Sequence, residues 1–164
     1  MVTFEKFKEE ALQRGVCADF KEKFVSCRSK KQLMDMALNI KGLEYLCDAI
    51  TKGWGISADV ISTRFAPYIN GGYKYESPKG YTSEMYCCCV GEEVKCRSTA
   101  LCLIDCDITL KIPNNCMCEV YVVGKCKIKV ESEGRVFFVV YDESTQINIC
   151  DKDKDRVKVK FIDK

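Results

Sequence analysis

Thirteen cysteines and no histidine set the limits on what this chain of 164 residues can do chemically. Without histidine there is no general base of the usual kind, no imidazole to activate a Ser or Cys nucleophile, and no imidazole metal ligand. The cysteines invite a reading as a zinc or iron–sulfur centre, yet no C-x-x-C occurs. They are adjacent (Cys87, Cys88, Cys89), alternate (Cys116, Cys118) or four apart (Cys102, Cys106). Seven of them, Cys88, Cys96, Cys102, Cys106, Cys116, Cys118 and Cys126, occupy slots that Val and Ile fill elsewhere in the pattern, which reads them as small buried apolar residues. Neither a metal nor a cofactor is expected.

Other groups invite chemistry less strongly. Asp151, Asp153 and Asp155 imitate the start of a calcium loop, but the sixth position is Arg156 where glycine is needed and the twelfth is Ile162 where glutamate is needed. Glycine-rich phosphate loops, G-x-S-x-G and H-E-x-x-H are absent. A non-enzyme is therefore expected. The alternative, a histidine-free enzyme, would rest on outward-facing Cys87, Cys89 or Asp105. For a flat, nucleotide-like ligand the candidates are Trp54, Tyr73 and Tyr75 for stacking, with Arg64, Lys79 and Arg97 for phosphate.

The elements that must position these groups fall into two kinds. From Tyr86 to Phe161 apolar residues return about every twenty positions: Cys96, Ser98, Ala100 and Cys102 are echoed by Cys116, Cys118, Val120 and Val122, then by Val136, Phe138 and Val140. Two short strands per period predict a small β-solenoid, with an antiparallel β-sandwich as the alternative. A period of twenty, dropping to nineteen after Tyr141 where the inward parity changes, would set Asp105 over Lys125, Asp107 over Lys127, Met117 over Phe137 and Tyr121 over Tyr141. It also predicts an apolar outer face made of Leu101, Leu103, Met117, Tyr121, Val123, Phe137, Val139 and Tyr141. Such a face must be covered, either by the protein's own helices or by a second subunit or partner.

Residues 1–70 carry helical periodicity. The expected helices start at Thr3 and end at Gly15; cover Phe20, Phe24 and Cys27; run from Ser29, with Gln32 at capping-box spacing, to Gly42; cover Leu43 to Ile50; and start at Ser57, ending before Pro67. The fold class is thus α+β: a helical domain (1–70), a Gly- and Tyr-rich connector (71–84) and the solenoid-like domain (85–164). With 26 basic and 24 acidic side chains the net charge is +2, so nucleic acid is not an expected partner. The acidic N-terminus and the lack of a long apolar run point away from a membrane and to the cytosol.

The run SKKQLMDMALNIKGLEYLCDAITKGWGIS, followed by YINGGY and GYTS, resembles small proteins encoded by phages and prophages of gut Bacteroidales. The resemblance covers the helical half and the connector and carries no active-site residues. It implies a mobile-element origin and an accessory role in the bacterial host. Together with the missing catalytic residues, the apolar outer face and the aromatic connector, this leads to the expectation of a cytosolic, non-enzymatic, homo-oligomeric binder that occupies a host protein or small signalling molecule, with an anti-defence role. The alternative is a structural component of a virion.

Overall fold

The structure is a computed structural model and describes residues 4–13 and 18–162. Five helices, α1 (Phe4–Gln13), α2 (Ala18–Ser26), α3 (Lys30–Leu38), α4 (Ile40–Thr51) and α5 (Ala58–Arg64), precede ten strands. The strands are β1 (Tyr75–Glu76), β2 (Thr82–Cys87), β3 (Val90–Lys95), β4 (Ala100–Ile104), β5 (Asp107–Ile112), β6 (Met117–Val123), β7 (Lys127–Ser132), β8 (Arg135–Val140), β9 (Gln146–Ile149) and β10 (Val157–Phe161). They form two sheets, β1-β2-β4-β6-β8-β10 and β3-β5-β7-β9. Every pair is parallel except β1 with β2. Consecutive strands alternate between sheets from β2 onward, so the chain winds a β-solenoid of about four turns. The sandwich alternative would need antiparallel neighbours.

The helices start where their caps stand. Ser29 Oγ accepts the Gln32 N–H at 3.2 Å, and Ser57 Oγ accepts the Val60 N–H at 3.2 Å. Gln32 reaches back to the N–H of Arg28, 2.7 Å away, one residue before the position that a capping box prescribes. The expected stop at Gly42 is wrong. Helix α3 ends at Leu38, and Asn39 both closes it and caps α4, accepting the Gly42 N–H at 2.9 Å. Gly42 lies in the first turn of α4 because a Cβ there would meet the Met36 carbonyl oxygen at 1.9 Å; the glycine lets two helix backbones touch. The expected bounds at Thr3 and Gly15 lie outside the described residues.

The step of nineteen expected after Tyr141 is present, Ile128 pairing with Ile147, but the period of twenty does not hold through the rest of the stack. Ser83 pairs with Ala100, Ala100 with Glu119, Met117 with Arg135 and Val136 with Val157, offsets of 17, 19, 18 and 21 residues. Only β5 and β7 keep twenty, and there Asp107 does lie beside Lys127. Tyr121 pairs with Val139, not Tyr141, and Met117 with Arg135, not Phe137. The 19-residue step reverses the parity of β4. Leu101 and Leu103, expected outside, fill the solenoid interior, while Ala100, Cys102 and Ile104 face the helices. All five residues of β4 are buried.

The outer apolar face is covered by the protein itself. Tyr121, Val123, Val139 and Tyr141 are buried in one cluster with Leu38, Leu43, Leu46 and Cys47 of α3 and α4, and Phe137 packs against it. Helix α4 lies on β6, and α3 and α5 lie on β2. Cys47 of α4 meets Cys102 of β4, and Ser83 Oγ of β2 donates to the Leu38 carbonyl at the end of α3. The ground for expecting a second subunit on this face is thereby removed. Met117 is the exception among the eight residues, at 70% exposure.

Candidate functional site

Between α2, α3, α4, α5 and the start of the solenoid lies a cavity of ≈ 60 Å³. Its position follows from the helix patterning. Helices α3 and α4 are short, join at the Asn39 link, and turn Leu33, Met34 and Leu46 towards it, and α5 adds Ile61. Met85 of β2 and Phe20, Tyr45 and Trp54 belong to the same lining. Among the described residues, no charged side chain lines the cavity. Phe20 and Tyr45 hold each other at 4.7 Å between ring centroids, and Lys52 Nζ sits 5.0 Å from the Trp54 ring centre at the outer edge. An apolar space of this kind favours an apolar group over a polar one, which would lose its hydrogen bonds to water there.

The six residues proposed for a nucleotide-like ligand are not brought together. Trp54 borders the apolar cavity. Tyr73 is committed to an internal cluster: its hydroxyl donates to Asp35, whose carboxylate takes Lys31 at 2.7 Å, and Lys31 Nζ lies 5.5 Å from the Tyr73 ring centre. Burial first, and then the Asp35 carboxylate, push the Tyr73 hydroxyl pKa up. Arg64 ends α5, with its carbonyl taken by Lys30 at 2.7 Å. Arg97 is exposed on a turn whose carbonyl is taken by Lys74 at 2.9 Å. Tyr75 and Lys79 alone share a surface groove, beside Pro78 and Tyr81. The sequence missed Phe20, Tyr45 and Met85 as site residues; each reads as ordinary core until the helices are placed.

The proposed nucleophiles also move. Cys87 and Cys89, expected to face outward, are buried at 1% and 4% exposure, whereas Cys88, expected inward, is exposed. A corner causes this reversal: Cys88 takes φ 57 and Asp105 φ 49, each in the left-handed region, which turns the chain from one sheet to the next. Cys87 then faces the helices and Cys89 the solenoid interior. Burial drives the Cys89 thiol pKa to about 12, and burial with the neighbouring Cys88 drives Cys87 upward, so both stay protonated and unreactive at neutral pH. Asp105 spends one carboxylate oxygen on the Lys125 N–H at 2.9 Å. Of the other cysteines assigned inward, Cys96, Cys106, Cys118 and Cys126 line the interior, Cys102 faces the helices, and Cys116 is half-buried.

Among the described residues no group of three or more His, Cys, Asp or Glu side chains is placed to hold a metal ion, and no helix is long and apolar enough to cross a membrane. The stretch Asp151–Arg156 is a 3-10 turn. Asp153 is buried there, accepting the Ser132 N–H at 3.2 Å and pairing with Arg156 at 3.4 Å. Comparison of this chain with family models, with curated proteins and with solved structures found no match.

Proposed function

We propose that the protein is a non-enzymatic binder that takes an apolar group of its ligand into the cavity beneath α3 and α4. The observation that carries this reading is the cavity's composition: a space walled by Phe20, Tyr45, Trp54 and Met85 with no charged residue in its lining among the described residues. At ≈ 60 Å³ it is smaller than the ~150 Å³ apolar cavity that takes benzene, so a short alkyl chain or the tip of an apolar side chain fits and a nucleotide does not. The methionines Met34, Met36 and Met85 give the walls an adaptable, polarisable surface. The solenoid serves as the rigid wall that holds the helices in place.

The resemblance to phage and prophage proteins extends this reading to the cytosol of a bacterial host. There the bound group belongs to a host protein or a small signalling molecule, and occupying it counters a host defence. Trp54 is the sole tryptophan and borders the cavity, so its fluorescence reports occupancy. Titration with 1-hexanol should give a saturable change in Trp54 emission, and glycerol, which is polar, should give none. An unsaturable response to hexanol, or an equal response to glycerol, rejects the reading.

A further inference from the structure

Two surface grooves meet on the side of the molecule where the sheet strands of the covered face begin. They share Ile40 and Tyr81 as a common wall. Lys23, Lys41 and Lys79 border the first, and Arg135, Arg156 and Lys158 border the second. Among the described residues, the only carboxylates lining either groove are Glu119 and Asp155. The whole chain is nearly balanced at +2, so this excess is a local segregation of charge. Among the described residues, Lys23, Lys41, Lys79, Arg135 and Lys158 take part in no ion pair, whereas on the opposite sheet Lys111 pairs with Glu93 at 2.9 Å and with Glu131 at 3.7 Å.

The same grooves hold exposed apolar side chains. Ile40 is 50% exposed and Met117 is 70% exposed, the latter being the one exposed residue of the eight expected on the outer apolar face. Unpaired cations beside bare aliphatic and thioether groups match a partner that alternates acidic and apolar side chains. The aromatic residues here, Phe20, Tyr45, Tyr75, Tyr81 and Phe137, are all half-buried, so no open ring is offered for base stacking as a single-stranded nucleic acid requires. We infer that the paired grooves bind an acidic, partly apolar peptide segment of another protein, lying across the shared Ile40 and Tyr81 wall. Phe20, Met36 and Tyr45 line both the first groove and the apolar cavity, so the segment passes the cavity's edge. The inference rests on the grooves and stands apart from the cavity reading.

The test is fluorescence anisotropy with a labelled peptide of roughly twelve residues, half of them Asp and Glu with Leu and Met between, a length that spans about 40 Å extended. Its counterpart with Lys for every Asp and Glu and an oligothymidylate of equal length are the competing probes. The acidic peptide should bind, weaken as salt rises past the screening range, and lose about tenfold in affinity with Lys41→Glu and Arg135→Glu together. Met117→Ser should lose about threefold at unchanged salt dependence. Each of these residues is exposed, and a melting temperature close to the parent's certifies the fold of the variants. Equal or tighter binding of the oligonucleotide overturns the inference, as does peptide binding that the substitutions leave unchanged. A stable dimer that the charge reversals dissociate also overturns it, since the grooves would then belong to a second copy. Hexanol binding that survives the charge reversals, with peptide binding lost, separates this site from the cavity.

Discussion

Replacing Ala49 with methionine tests whether the space under α3 and α4 is empty. Ala49 is buried in α4 and lines the cavity, and methionine is a good helix former whose flexible chain can follow an irregular void. An unfilled void costs ~24 cal/mol per Å³, so ≈ 60 Å³ corresponds to roughly 1.4 kcal/mol of forgone packing. Filling most of it should raise unfolding stability by about 1 kcal/mol, read as a shift in urea midpoint at constant m-value. The same variant should weaken 1-hexanol binding about tenfold by Trp54 fluorescence, because the added thioether occupies the ligand's place. The reasoning fails if Ala49→Met instead loses the ~1–3 kcal/mol typical of overpacking while hexanol binds as before. That pair of results would mean that the site is already full and that the alcohol binds elsewhere.

Three further outcomes follow from the packing. Gly42→Ala should destabilise by more than about 2 kcal/mol in urea unfolding despite alanine's better helix propensity, because its Cβ would collide with the Met36 carbonyl; a gain of about 1 kcal/mol would show that the helices are free to part. The Tyr81 hydroxyl is buried with no hydrogen-bond partner, so Tyr81→Phe should be neutral or stabilising by up to about 1 kcal/mol, and a clear loss of stability would reveal a partner for it. Burial raises the Cys106 and Cys126 thiols from 9.0 to about 12, which makes the folded state hold its protons longer than the unfolded chain does. Their contribution is complete below pH 9 and is lost as pH climbs from 9 towards 12, at on the order of 1 kcal/mol per thiol per pH unit. Urea midpoints measured from pH 8 to pH 10.5 should fall accordingly, and valine at both positions should flatten the decline.

The solenoid is legible in the sequence because inward-facing positions of a parallel stack must be small and apolar in every coil, and Ile108, Ile128 and Ile147 show it directly. The faces of β4 are not legible. Alternation gives the period of two but not its phase, and the phase changes wherever a corner holds one residue more or fewer. Leu101 and Ala100 therefore exchange sides without altering the look of the string. The buried thiols at Cys87 and Cys89 escape for the same reason, since the left-handed φ of Cys88 sits on a residue that rarely adopts it. Gly42 read as a helix stop because glycine marks both chain ends and close approaches, and only the position of Met36 decides between them. The cavity was out of reach altogether, being a property of how four short helices pack on a sheet.

The unequal coil lengths also bear on how the chain avoids folding wrongly. A stack of identical coils can slip by one whole coil and lose little, which is a standing hazard for repetitive chains. Here no two successive offsets along the covered sheet agree, and Gly124 leaves the room that Asp105 needs to reach the Lys125 N–H. A slipped strand would bring a corner of the wrong length and a Cβ where none fits. The irregularity that hides the register from a reader of the sequence works, in the folding chain, as a set of keys that each admit one neighbour.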